Sequence, residues 1–208
     1  MTWTRLLDTL PIIAILRGLT PGEAVAIAAA LETAGVLGLE VPLNSPEPLE
    51  SIRRIREAFD GRLVVGAGTV LTVDEVSAVQ AAGGQFIVSP NTDPAVIRAT
   101  KAAGLYSAPG FFTPTEAFSA LASGADALKL FPADVAGPAA LKAMKAVLPP
   151  SAPVIAVGGV DPATMGGWRA AGAAGFGVGS ALYQPGLPPA DVEARARRFV
   201  DGWARSAS

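Results

Sequence analysis

Ala127-Leu128-Lys129-Leu130-Phe131-Pro132 is a short apolar run interrupted by one cation. Its hydrophobicity is near-continuous and not alternating, the pattern of a parallel strand covered on both faces. The pattern recurs at residues 12–17, 37–43, 63–69, 85–90, 106–111, 154–160 and 174–180, which with 127–132 makes eight strand candidates. An alanine-rich helical stretch follows each one. Eight βα units in 208 residues predict a single-domain (β/α)8 barrel spanning 1–208. An N-terminal helix over residues 3–10 is placed to cap the barrel bottom and favours closure over the competing doubly wound open sheet.

Helix boundaries agree with this rhythm. Thr20-Pro21-Gly22-Glu23 predicts Thr20 as N-cap, Pro21 at the first helical position and Glu23 closing a capping box. Thr72-Val73-Asp74-Glu75 repeats the box, and Thr113-Pro114 and Asp161-Pro162 are further starts. Gly35, Gly83, Gly104, Gly124 and Gly172 stand where helices should close. Trp3, Trp168 and Trp203 fall on helical stretches and read as packing anchors.

Composition narrows the chemistry. Half of the residues are hydrophobic and 16% are charged, so the chain is a packed globular protein. A net charge of −2 with mixed signs gives no support for nucleic-acid or membrane-surface binding. No apolar run has the length of a membrane span, and a cytoplasmic protein is expected. Cysteine and histidine are both absent. Thiolate catalysis, disulfides and the commonest general base and zinc ligand are thereby excluded. Acid–base work falls to Asp, Glu, Lys, Tyr or water, and a magnesium site made of carboxylates stays open.

Barrels of this class carry their chemistry at strand C-termini. Lys129 is the first candidate. Burial favours a neutral amine, and a neutral lysine attacks carbonyls to form Schiff bases. The bland alternative is a lysine whose head snorkels to water. The other lysines, Lys101, Lys142 and Lys145, read as surface charges on helices. Glu40 is a second charge inside an apolar strand. A glutamate raised in pKa by apolar surroundings would supply the proton shuttle that imine chemistry needs; the alternative is a structural partner for Arg17 or Lys129. Arg17 offers a planar fork for a keto-acid carboxylate, or a means of orienting Glu40. Gly158-Gly159 and Gly179-Ser180 follow the last two strands, where such barrels usually grip phosphate. Thr69, Pro90 and Phe131 should line the pocket.

These residues stand in Ile15-Leu16-Arg17-Gly18, Glu40-Val41-Pro42-Leu43-Asn44-Ser45-Pro46, Gly66-Ala67-Gly68-Thr69-Val70, Val88-Ser89-Pro90-Asn91, Pro109-Gly110, Leu128-Lys129-Leu130-Phe131-Pro132 and Ala156-Val157-Gly158-Gly159-Val160. With that set the chain resembles the KDPG/KDPGal aldolases, class I pyruvate aldolases acting on 2-keto-3-deoxy-6-phospho sugar acids. The resemblance implies a trimeric (β/α)8 barrel with no metal or cofactor. It gives Lys129 the Schiff-base role and Glu40 the acid/base role. It places Arg17 and Thr69 at the carboxylate side, and Gly158, Gly159, Gly179 and Ser180 at the phosphate. The gluconate type carries an arginine and a threonine where this chain has Asn44 and Val157. Both departures agree with the galactonate type, and losing a hydroxyl beside the sugar fits a change of epimer preference. The implied reaction cleaves 2-dehydro-3-deoxy-6-phosphogalactonate to pyruvate and glyceraldehyde 3-phosphate. A gluconate-epimer or dual-epimer enzyme is the alternative, and a non-catalytic phosphate-metabolite-binding barrel the remote one.

Overall fold

Strands β1 (Ile12–Ile15), β2 (Gly38–Pro42), β3 (Val64–Gly68), β4 (Phe86–Val88), β5 (Tyr106–Ala108), β6 (Gly110–Phe111), β7 (Leu128–Leu130), β8 (Val154–Val157) and β9 (Gly175–Val178) make one sheet in the computed structural model, which describes residues 1–206. The last two residues of the 1–208 domain expectation lie outside the described part. Every strand pairing is parallel, in the order β5-β4-β3-β2-β1-β9-β8-β7-β6. The two ends of that order, β5 and β6, are halves of one strand. Proline has no N–H for the ladder, so the strand divides at Pro109. Its first half pairs with β4 and its second with β7, and the Pro109 carbonyl accepts from the Lys129 amide at 2.9 Å. The sheet therefore closes into a barrel of eight strand positions, one per predicted run.

Helices α1 (Trp3–Thr9), α2 (Ala24–Ala34), α3 (Pro48–Ala58), α4 (Val73–Ala81), α5 (Pro94–Ala102), α6 (Pro114–Ala122), α7 (Ala133–Lys145), α8 (Met165–Ala170) and α9 (Pro189–Arg205) occupy the connections. Both halves of the capping box form at Thr72/Glu75 and at Thr113/Glu116. Gly35, Gly83, Gly104, Gly124 and Gly172 all adopt positive φ where helices close. Helix α2 departs from expectation and begins at Ala24. The Glu23 half of the expected box forms, its carboxylate accepting from the Thr20 amide at 3.0 Å and the Thr20 hydroxyl at 3.2 Å, but among the described residues no helical amide donates to the Thr20 side chain. Helix α7 is broken at Gly137 (φ 74°), just before Pro138.

The period-two alternation of strands divides the core. Ile12, Ala14, Leu39, Val41, Leu128, Leu130, Val154 and Ala156 belong to a buried cluster between sheet and helices. Ile13, Ile15, Val64, Phe86, Val88, Ile155 and Val157 form a second cluster inside the barrel. Glu40 lies between Leu39 and Val41, and Lys129 between Leu128 and Leu130. By that alternation both charged residues point inward.

Helix α1 closes the bottom of the interior. Thr2 caps it through its side chain, and Trp3 (2% exposed) and Leu6 (0%) join the interior cluster. The Trp3 ring lies 5.1 Å from Phe86 and 5.8 Å from Tyr106, centroid to centroid. Trp168 is buried, while Trp203 is half-buried, edge-on to Phe176 and stacked on Arg169 at 3.9 Å. Two of the lysines read as surface charges are tied down. Lys101 pairs with Asp126 at 2.7 Å, and Lys145 donates to the Ala152 carbonyl at 2.9 Å.

Candidate active site

Strand register brings the charged residues to one level. Glu40 on β2 stands opposite Ile15 of β1 and Gly66 of β3, and Lys129 on β7 stands opposite Gly110 and Ile155. Above them the barrel opens into a cavity of about 420 Å³ at the strand C-termini. Arg17, Glu40, Thr69, Pro90, Lys129, Phe131, Val157, Gly158, Gly159, Gly179 and Ser180 all line it. The structure thus brings together every site residue nominated from the sequence.

Lys129 is 8% exposed and Glu40 3%. Burial pushes the Lys129 amine below the usual lysine range; Glu40 opposes that shift and Arg17 adds to it. Burial pushes the Glu40 carboxyl upward against the pull of Lys129 and Arg17. The coupling between the two acts through space, with no hydrogen bond between them. A depressed amine and a raised carboxyl in one apolar enclosure are the states a nucleophile and a proton shuttle require. The Lys129 ammonium position also lies 4.9 Å from the centroid of the Phe131 ring, which forms part of the cavity rim.

Arg17 does not pair with Glu40. Its Nη1 donates to Asn44 Oδ1 at 2.7 Å, and the adjacent Gly18 amide donates to Ser45 Oγ at 2.9 Å. The guanidinium charge still reaches both Glu40 and Lys129.

The opposite side of the cavity is backbone. Gly158 (φ 111°) and Gly159 (φ 65°) are both in the left-handed region that side chains avoid. Within the described residues no backbone carbonyl takes the N–H groups of Gly158, Gly159 or Ser180. Free amides at two adjoining strand ends form a concave donor surface suited to an anion. Val157 presents an aliphatic side chain beside it. The loop beyond β9 is anchored by Tyr183, whose hydroxyl donates to Glu23 Oε1 at 2.9 Å. Burial, and secondly that bond to Glu23, push the phenol well above its usual range.

Two features escaped sequence reading. Thr69 has φ 59°, a conformation costly for a β-branched residue and characteristic of functional sites. Gly68 leaves the space that Glu40 fills. A Cβ at position 68 would sit 1.7 Å from Glu40 Oε1. The available signal was the i, i+2 spacing of Gly66 and Gly68, which puts two missing side chains on one strand face. Among the described residues no group of three or more acidic side chains converges as a metal site.

Comparison with known proteins adds four findings. The family model described as KDPG and KHG aldolase matches residues 4–194. The chain is 47% identical over 186 residues to a probable 2-dehydro-3-deoxy-6-phosphogalactonate aldolase of Rhizobium meliloti (strain 1021), covering 89% of this chain and 88% of that protein. It is 46% identical over 194 residues to the 2-dehydro-3-deoxy-6-phosphogalactonate aldolase of Escherichia coli (strain K12), covering 93% and 95%. A solved native KDPGal structure superposes with a TM-score of 0.95 at 44% identity, over 100% of this chain and 99% of that one.

Proposed function

The chain belongs to the KDPG and KHG aldolase family and is an aldolase of its 2-dehydro-3-deoxy-6-phosphogalactonate type, and we propose that it works through a Schiff base on Lys129. The observation that carries this reading is the inward-facing pair: a buried amine and a buried carboxyl, each shifted toward its neutral form, in one cavity.

The neutral Lys129 amine attacks the C2 ketone and gives a carbinolamine. Glu40, directly or through a water, delivers the proton with which the hydroxyl leaves as water, producing an iminium. The C4 hydroxyl then loses its proton to Glu40. The C3–C4 bond breaks, its electron pair moves into an enamine, and glyceraldehyde 3-phosphate departs. Glu40 returns the proton to C3, and water hydrolyses the pyruvate iminium and frees Lys129. Arg17 and Thr69 hold the carboxylate end. The free amides of Gly158, Gly159 and Ser180, with Gly179, receive the phosphate. Pro90 and Phe131 wall the reacting carbons, and Val157 offers no hydroxyl beside the sugar chain. Val157 and Asn44 support the galactonate epimer as substrate over the gluconate epimer.

A homotrimer completes the proposal. Its support is the resemblance to the family, together with large apolar side chains left exposed, Leu71, Val73, Phe112 and Phe118 among them, each 41–48% exposed. No described helix is long and apolar enough to cross a membrane. The cytoplasm, where phosphorylated sugar acids are retained by their charge, is the compartment proposed.

The test is intact mass after incubation with pyruvate and borohydride, followed by peptide mapping. We expect one reduced pyruvyl adduct on Lys129, and none in Lys129→Ala together with loss of cleavage. A folded Lys129→Ala variant retaining full activity would overturn the mechanism.

A further inference from the structure

Asn44 stands outside the cavity lining, yet its side chain makes the hydrogen bond that fixes Arg17. From this geometry we infer that Asn44 is a positioning residue for substrate-anion binding: it aims the Arg17 guanidinium into the cavity while leaving its charge unneutralised. The inference rests on the aldolase reading above and names a new determinant of its affinity.

Three observations carry it. First, Arg17 is an exposed, many-rotamer side chain at the end of β1, and such a side chain holds one orientation only if something fixes it. Asn44 Oδ1 does so at 2.7 Å, from the loop between β2 and α3. Second, the hold is doubled at the next residue, where Ser45 Oγ accepts from the Gly18 amide at 2.9 Å. The Asn44-Ser45 pair thus grips Arg17-Gly18 at both side chain and backbone. The position of Gly18 has a further consequence. A Cβ there would lie 2.7 Å from Pro185 Cγ, so the gripped loop lies directly against the loop that follows β9 and carries the free Ser180 amide. Third, the acceptor is an amide and not a carboxylate. An Asp or Glu on Arg17 would form an ion pair and offset the positive charge that a substrate anion needs. A neutral acceptor orients the fork and leaves its full charge for the ligand. Arg17 lowers the pKa of both Lys129 and Glu40, so its aim also bears on the reacting pair.

The anion is the substrate carboxylate in the reading above, and the phosphate at the other end of the substrate is the competing partner. The experiment separates them. Asn44→Ala and Asn44→Asp are compared with wild type for kcat and KM of cleavage. Two half-reactions accompany them: the pyruvate concentration that half-saturates borohydride trapping, and inhibition of cleavage by inorganic phosphate. For Asn44→Ala we expect KM to rise about tenfold, the scale of losing a hydrogen bond to a charged group, with kcat within about twofold. Asn44→Asp should be worse than Asn44→Ala, and the more so at low salt, because it restores the aim but neutralises the charge. A rise in the pyruvate half-saturation assigns Arg17 to the carboxylate, and a weakened phosphate inhibition assigns it to the phosphate. Because Asn44 is exposed, both variants should melt within about 2 °C of wild type. Unchanged KM and unchanged values in both half-reactions would overturn the inference, as would Asn44→Asp binding better than Asn44→Ala. Absence of the pyruvate adduct in wild type would sink the Schiff-base mechanism alone, since the phosphate arm and the KM–kcat split still decide the role of Asn44.

Discussion

The two ends of the barrel interior are built from the same strands and serve opposite purposes. At the bottom, Trp3 from α1 meets Phe86 and Tyr106 among buried apolar side chains, with the Trp3 indole N–H left without a hydrogen-bond partner among the described residues. A few residues higher, the same inward positions hold Glu40 and Lys129, whose burial disfavours the charged form of each. The bottom lowers the free energy of folding. The top raises it, and the energy so held is what keeps an amine nucleophilic and a carboxyl ready to give up or take a proton. What separates the two is only which residue type occupies the inward phase of each strand.

The contrast can be broken from either side. The largest effect belongs to Trp3→Ala, which should cost about 3–5 kcal/mol of stability, the range for deleting a buried aromatic. Denaturant melts would show the loss, while kcat and KM of the surviving folded fraction stay near wild type. A parallel fall in kcat would show that the bottom also shapes the site. Next is Gly68→Ala. Its new Cβ would stand 1.7 Å from Glu40 Oε1, so the carboxyl must move. A displacement of about 1 Å at a reacting group costs on the order of 100-fold, and steady-state cleavage assays should find that loss in kcat more than in KM. Wild-type kcat in a folded Gly68→Ala variant would remove Glu40 from the shuttle role.

The smallest change in stability runs the other way. Glu40→Gln should abolish cleavage and stabilise the protein by about 0.5–2 kcal/mol at neutral pH. The sign follows from the direction of the shift. The Glu40 pKa is raised on folding, so the native state holds that proton more tightly than the unfolded chain does. Its contribution is fully present below the unfolded value of about 4.5 and is lost as pH rises through the folded value. Above the unfolded value wild type progressively loses that contribution, and Gln has nothing to lose. Thermal melts of the two proteins across pH should diverge as pH climbs above that unfolded value. A less stable Glu40→Gln would mean that its attraction to Lys129 and Arg17 outweighs its desolvation.

Much of this contrast was readable in the chain. A lysine between Leu128 and Leu130, and a glutamate between Leu39 and Val41, announce themselves because neighbours on a strand point to opposite faces. All eight strand positions were visible as short, near-continuous apolar runs, each followed by an alanine-rich helical stretch. Features set by a second stretch of chain were not visible. That Pro109 divides one strand depends on two neighbouring strands pulling its halves to different partners. The late start of α2 depends on Glu23 being drawn into bonds with Thr20 and with Tyr183, more than a hundred residues away. The partner of Arg17 was sought among charges, in Glu40, and found in a neutral amide. Lys101 and Lys145 looked solvated because their acceptors, Asp126 and the Ala152 carbonyl, lie beyond their own helices.

Glu40 and position 68 share one volume, and this orders the paths by which the protein can change in descent. While the glutamate stands, any residue other than glycine at 68 meets an occupied space. Once position 40 has shrunk, position 68 is released to drift, and each larger residue accepted there closes the way back. A lineage that gives up the carboxyl can therefore lose the room for it, so that restoring the one codon no longer restores the enzyme.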